Sequence, residues 1–458
     1  MEVLAVDYPE AAYDYDSTLI SDVSSTTFGA GTPSVDDTFI GPTCEQVLIV
    51  CSAAVRTPDR IHTAPQLRLT DAAGAIIEGT TVVQHGFGGA PTSSNFQYGS
   101  RVTLWEGIDQ GQVYFLRHMH RRHPSDGTTG DIDDRSVIGV PLPFYWGTPA
   151  VGAPITPATS GDVGEPIAAE PEASHDQSTN SLLNLSNVDP NYQAGPNIDQ
   201  PEVGVTFRAP MSGKALLIIG GGARDNTGTN RVFLTVELFK ATRGRGIPII
   251  NAESATFLQY GWAASGDASQ YMYSSRVSLL ESLEPGATYY ARVMHSVEGG
   301  ATADINVREI TVVPAPANAV AAFNSDSQLN IASAAYAAGS PEMGVQFTAP
   351  PSGRILVAVS GGGRDNTNND RVFVVPQIFR GTSAAGTLVL SPNDGEHAWS
   401  SFGESSGYMY GSRVLVASGL QAGQTHYVRT MHKAMDSAGA ANGSADLTIR
   451  GVVVVPIR

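Results

Sequence analysis

From Gly204 onward the chain alternates short apolar runs with clusters of Gly, Pro, Asn and Ser. The runs are "GVTFRAP", "GKALLIIGG", "NRVFLTVELF", "SATFLQY", "YSSRVSLLE", "TYYARVMHS" and "INVREITVVP". All are rich in β-branched or aromatic residues and bounded by turn formers, which is the signature of strands. Seven such runs between residues 204 and 314 predict an antiparallel β-sandwich.

The same pattern then returns. "GVTFRAPMSGKALLIIGGGARDNTGTNRVF" starts at Gly204, and "GVQFTAPPSGRILVAVSGGGRDNTNNDRVF" starts at Gly344. More diverged, Thr38 to Arg56 aligns without a gap to Thr206 to Arg224. Each copy closes on a β-branched run ending in proline, at Pro141, Pro314 and Pro456. Self-similarity at this period marks duplicated domains, the unit being too long for a solenoid repeat. The expected organisation is an extended N-terminal docking arm (1–37), a sandwich (38–141), a Pro-rich extended linker (142–202), a second sandwich (203–314), a linker (315–343) and a third sandwich (344–458). An aromatic-x-Ala-Gly segment precedes each sandwich, at Phe28 to Gly31, Tyr192 to Gly195 and Tyr336 to Gly339. These segments are expected to pack on the domain that follows. The first 25 residues match nothing else in the chain.

One further pattern bears on topology. Leu283 stands six residues before Tyr289, with Pro-Gly between. This resembles the tyrosine corner of Greek-key sandwiches and the Leu-x-Pro-Gly-x-x-Tyr of fibronectin type III domains. The first copy keeps Ile108, Gly111 and Tyr114. The third keeps Leu420 and Gly423 but places His426 at the tyrosine position, followed by Tyr427. An immunoglobulin- or fibronectin-like topology and a jelly roll both remain open.

Charge excludes some partners. The formal net charge is -17, and a nucleic-acid binder needs a positive surface to displace counterions. No run is long and apolar enough to cross a bilayer as a helix, and the N-terminus lacks a basic and an apolar region of a secretion signal. Synthesis in a cytoplasm is expected. Cys44 and Cys51 are too far apart along one extended run to be bridged, so reduced, buried thiols are expected.

The candidate chemistry lies in residues placed alike in each copy. Arg101, Arg276 and Arg413 open one strand, and Arg117, Arg292 and Arg429 lie in the next. Arg135, Arg308 and Arg450 precede the last. In a chain poor in charge, these arginines are expected to be structural, paired with carboxylates such as Asp225 and Asp365 or with carbonyls at an interface. Binding of an anionic wall polymer is the alternative. Phe87, Trp262 and Trp399 recur fourteen residues before the first arginine, and Tyr98, Tyr271, Tyr273, Tyr408 and Tyr410 follow them. Such aromatics either pack at an interface or stack on sugars. Met119-His120, Met294-His295 and Met431-His432 recur at strand ends, with His118 and His123 nearby only in the first copy. "RDNTGTN" from Arg224 and "RDNTNND" from Arg364 carry oxygens but do not match a calcium loop. No nucleophile elbow, phosphate loop, zinc-helix motif or triad recurs, so no catalytic residue, cofactor or metal is expected.

Taken together, the repeated pattern "F-x-AP-x-SG … GG-x-RDN … R-V-F … S-R-V … R-x-MH … VVP" resembles modules in tail-associated virion proteins of actinobacterial, Streptomyces-like phages. The resemblance covers residues 38–141, 203–314 and 344–456. It implies a non-enzymatic minor tail, fibre or baseplate component, assembled in the host cytoplasm and located in the virion. Its partners would be other virion proteins and further copies of itself, a trimer among the options. A host-surface glycan is possible under the same resemblance. The alternatives are a capsid decoration or head-fibre protein, and a carbohydrate-binding protein.

Overall fold

The computed structural model describes residues 10–57, 60–89, 92–124, 127–144, 171–186, 193–194, 202–226, 231–240, 247–252, 257–265, 271–298, 302–366, 370–401, 407–436, 440 and 444–458. Of the Pro-rich linker expected at 142–202, residues 145–170 lie outside them, as do Tyr192 and Gly195.

The chain is all-β and carries three sandwiches. The third copy shows the topology most fully. Its strands are, in order, Val320–Asn324 continued by Gln328–Ile331, then Gly344–Thr348, Arg354–Asp365, Arg371–Arg380, Thr387–Leu390 with Trp399–Ser400, Met409–Ala417, Thr425–Met435 and Ala445–Ile457. One sheet holds them in the order first-eighth-third-sixth, the other in the order second-seventh-fourth-fifth, all pairs antiparallel. This is an eight-stranded jelly roll, which decides the topology that sequence left open. The other two copies repeat the order. In the second the fifth strand is Trp262–Ser265 with the bridge of Ile250 to Leu238, and in the first the bridges of Gly88 to His62 and Ile76 to Arg68 stand in its place.

The first strand of each sandwich comes from residues expected to be arm and linker. Ala12–Asp16 with Ile20–Val23, and Ser174–Ser178 with Leu182–Leu185, pair with the closing strands Gly130–Pro141 and Ala303–Pro314. The described part of the first 25 residues therefore does have counterparts. Asp22, Asn184 and Asn330 all take left-handed φ values of 55, 54 and 55°. Each N–H donates to an aspartate, Asp131, Asp304 and Asp446 respectively, at 3.0, 2.8 and 2.8 Å. Short Asx side chains tolerate this conformation better than most residues. The aspartate holds the backbone while the surrounding side chains diverge, which hides the equivalence from sequence.

Two local expectations change. Within "SATFLQY", Phe257–Tyr260 is a helical turn, not a strand. The corner motif is real although the topology is not fibronectin-like: the Tyr114 and Tyr289 hydroxyls each accept the N–H of Asp109 and Glu284 at 2.8 Å. In the third copy His426 keeps only the stacking. It lies on Phe347 at 5.5 Å, as Tyr114 lies on Phe39 and Tyr289 on Phe207.

The sandwiches form a closed ring rather than a string. Leu48, Val102 and Ile138 of the first, Leu216, Val277 and Leu279 of the second, and Leu356, Val414 and Val455 of the third belong to one buried apolar cluster. Each inner sheet is thus covered on both faces, by its own outer sheet and by its two neighbours. That is why its strands read as nearly unbroken apolar runs, where a half-solvated sheet would alternate.

Candidate functional site

The residues repeated three times converge on the seams between sandwiches. Arg101 of the first sandwich donates to Ser275 Oγ of the second at 3.0 Å and pairs with Glu309. Arg276 of the second donates to the Gly411 and Gly361 carbonyls of the third at 3.0 and 3.3 Å. Arg413 of the third closes the ring on the first, donating to the carbonyls of Ala53, Gly99 and Asp134 at 3.0, 3.2 and 3.0 Å. A serine latch runs in the same cycle. Val102 N–H donates to Ser275 Oγ, Val277 N–H to Ser412 Oγ, and Val414 N–H to Ser100 Oγ, at 3.1, 3.1 and 3.0 Å. Contacts of this kind, each repeat to the next and the last to the first, define a pseudo-threefold ring within one chain.

These arginines are fully buried, so their charge must be met inside the protein. Arg101 meets a carboxylate, that of Glu309, which is also buried. Burial lowers the Arg276 pKa to about 9, against Tyr410 acting the other way. Of the two kinds of partner expected from sequence, Arg276 and Arg413 take the carbonyls at an interface rather than Asp225 and Asp365, because a guanidinium presents five donors and a sheet end presents acceptors in a row.

The glycine run of the second sandwich makes room for this seam. A Cβ on Gly220 would overlap the Arg101 guanidinium, and one on Gly222 would overlap the Tyr273 ring. These glycines seat a neighbour's arginine and a local aromatic, not a nucleotide.

The other two arginine sets are also occupied. Arg117 faces Asp36 at 3.4 Å, Arg292 pairs with Glu237 at 2.6 Å, and Arg429 with Glu342 at 2.5 Å, all on outer sheets. Arg135, Arg308 and Arg450 donate to the carbonyls of Ala30, Ala194 and Ala338, the alanines of the aromatic-x-Ala-Gly segments. Those segments bridge to the Met-His positions: Gly29 to His120, Gln193 to His295, Ala337 to His432. Burial, reinforced by the adjacent arginine, pushes all three histidines down to about 4. They are neutral packing groups. His118 is buried beside His120, while His123 turns away to Arg60. Among the described residues no three His, Cys, Asp or Glu groups converge as metal ligands.

Of the two roles open to the repeated aromatics, packing is the one the buried members take. Phe87, Trp262, Trp399, Tyr273 and Tyr410 are buried. The first three lie over glycines of their own sandwich, Gly99, Gly221 and Gly361. Tyr271 and Tyr408 are half-buried, each with one face covered by Arg224 or Arg364 at 4.8 and 4.7 Å. The residue after each deep aromatic touches the neighbouring repeat instead: Gly88 bridges Tyr273, Ala263 bridges Tyr410, and Ser400 Oγ accepts the Tyr98 N–H at 3.1 Å. The "RDN" motif serves the fold as well. Arg224 and Asn226 both bind Asp304, and Arg364 and Asn366 both bind Asp446, the aspartates that hold the left-handed turns. Residues 227–230 and 367–369 lie outside the described residues. Both cysteines are free, and burial pushes Cys51 up to about 12.

No protein-family model matches the chain, and no curated protein matches it. Solved structures give only distant likenesses. One is the isomalto-dextranase of Arthrobacter globiformis, at 13% identity, covering 61% of this chain and 36% of that one, with a TM-score of 0.19. The triple jelly roll protein of an archaeal virus turret is matched at 9% identity over 98% of this chain and 91% of that one, TM-score 0.19. A third is from infectious bursal disease virus, at 9% identity over 99% and 84%, TM-score 0.22. At such TM-scores none of them bears on what this chain does.

Proposed function

We propose that this is a non-enzymatic virion structural protein, tail-associated, in which one chain supplies a ready-made threefold body to a larger assembly. One observation carries the structural part. The arginine and serine that recur at Arg101, Arg276 and Arg413 and at Ser100, Ser275 and Ser412 are spent on closing the ring, and the repeated aromatics on packing the sandwiches. A binding protein would instead keep some of them at the surface. The placement in a virion, and in the tail, rests on the resemblance of the repeated pattern to tail-associated phage proteins. A homotrimer is not required to build a threefold element, because the ring closes within one chain. Further copies and other virion proteins would contact its periphery.

The test is immunogold labelling of intact particles from the source's viral lysate, with antibody raised against the full chain. Label on tails is the expected result. Label on heads would move the protein to a capsid decoration role. Intact particles without label, alongside labelled free protein in the same lysate, would overturn the virion reading.

A further inference from the structure

The three seams are built alike but not filled alike. At the seam of the third and first sandwiches, Tyr13 and Tyr15 on the entering strand fill the space beside the ring. Their hydroxyls donate to Glu396 and Asp134 at 2.8 and 2.6 Å. The entering strands are equivalent by their pairing with the closing strands: Tyr13 stands opposite Ile138, and His175 opposite Thr311. At the seam of the first and second sandwiches, His175 and Gln177 therefore occupy the two tyrosine positions. Neither carries a phenol ring, and a cleft of about 230 Å³ is left between the two sandwiches.

The chemistry of that cleft is distinctive. Trp105 and His85 form one wall, ring centroids 6.1 Å apart and edge to face. Gln177 and His175 form the other, and Glu78 and Glu106 stand exposed at the rim. Trp105 is 8% exposed, and its indole N–H, like the amide N–H of Gln177, has no hydrogen-bond partner among the described residues. Buried donors are normally paired, so two unpaired ones lining one cleft ask for an acceptor. No lysine or arginine lines it, which disfavours an anion. Carboxylates at the rim accept hydroxyl protons, the amide and indole offer donors, and the walls include apolar Leu67 and Ile77. Few polar groups set on a partly apolar wall are what a small-ligand site uses.

We infer that this cleft is a binding site for a neutral polyhydroxylated ring, a single saccharide residue, held between the first two sandwiches. The inference does not need the virion reading. It assigns a sugar contact to a place in the fold different from the repeated aromatics, for which sugar stacking was one of two roles open from sequence.

The test uses the full chain and three probes: methyl α-glucoside, methyl β-galactoside and N-acetylglucosamine, followed by saturation-transfer NMR. At least one probe is expected to give a transfer signal. Gln177→Tyr restores the side chain found at the filled seam. It is expected to keep the fold, by circular dichroism, and to weaken that probe's binding at least tenfold. Glu106→Gln tests the rim without filling the cleft, and a smaller loss is expected. Absence of signal from all three probes overturns the inference, and so does a signal unchanged in the folded Gln177→Tyr variant. Immunogold labelling is independent of these outcomes, so the two readings fail separately.

Discussion

Glu309 offers the sharpest test of the ring. Its carboxylate and the Arg101 guanidinium are both fully buried and meet across the first seam. Both members of this pair lie at 0% side-chain exposure, so removing one leaves the other without water to replace it. Glu309→Ala leaves a buried guanidinium facing no counter-charge, a change that costs roughly 3–5 kcal/mol in buried pairs generally. Arg101 retains Ser275 Oγ at 3.0 Å and the Gln84 carbonyl at 2.9 Å, which places the expected loss near the lower end, about 3 kcal/mol. The double variant Arg101→Met/Glu309→Leu removes both charges and keeps the volume filled. It is expected to recover most of the loss, because desolvation of the pair offsets much of its attraction. Equilibrium urea unfolding at pH 7, followed by tryptophan fluorescence and circular dichroism, measures both. If Glu309→Ala unfolds within about 0.5 kcal/mol of the wild type, well under the usual cost of a broken buried pair, the pair does not hold the seam and the argument fails.

Two further predictions follow from the same geometry. Gly220→Ala is expected to force Arg101 out of its slot, lowering the unfolding midpoint by more than Gly127→Ala, a change at a glycine with open space around it; equal effects would show that the slot is not tight. Acid should destabilise the fold between about pH 6.5 and 4. The His120, His295 and His432 pKa values are depressed to about 4, so over that window the unfolded chain binds more protons than the folded one, and stability falls as pH falls. Asp134 works in the opposite sense: burial raises it to about 6, so the folded state gains a proton first and is favoured as pH drops. His85 and His118 are depressed by burial as well, and Asp14 and Asp133 raised by it, so five histidines stand against three aspartates and give a net loss; His295→Asn should flatten the urea midpoint against pH, and an unchanged profile would refute the assignment.

Much of this protein is fixed by local pattern. Strand positions follow from β-branched runs and turn residues, which act over a few residues and leave a direct trace. The three copies are visible because duplication preserves spacing, and the corner at Tyr114 and Tyr289 because its hydroxyl bond closes over five residues. What the sequence left undecided depends on contacts between distant segments. Jelly-roll order required knowing that residues 12–23, 174–185 and 320–331 add the first strand, and those segments share a backbone turn rather than side chains. That Arg276 and Arg413 are structural was legible, but which segments they reach was not, because carbonyls are partners that every residue has. Trp262 reads the same whether it stacks on a sugar or covers Gly221, and only the packing of one sheet on the other buries it. The cleft at His175 and Gln177 is the most tertiary feature of all. It exists because two side chains are small where the third seam has tyrosines, and only ring closure brings those positions against Trp105.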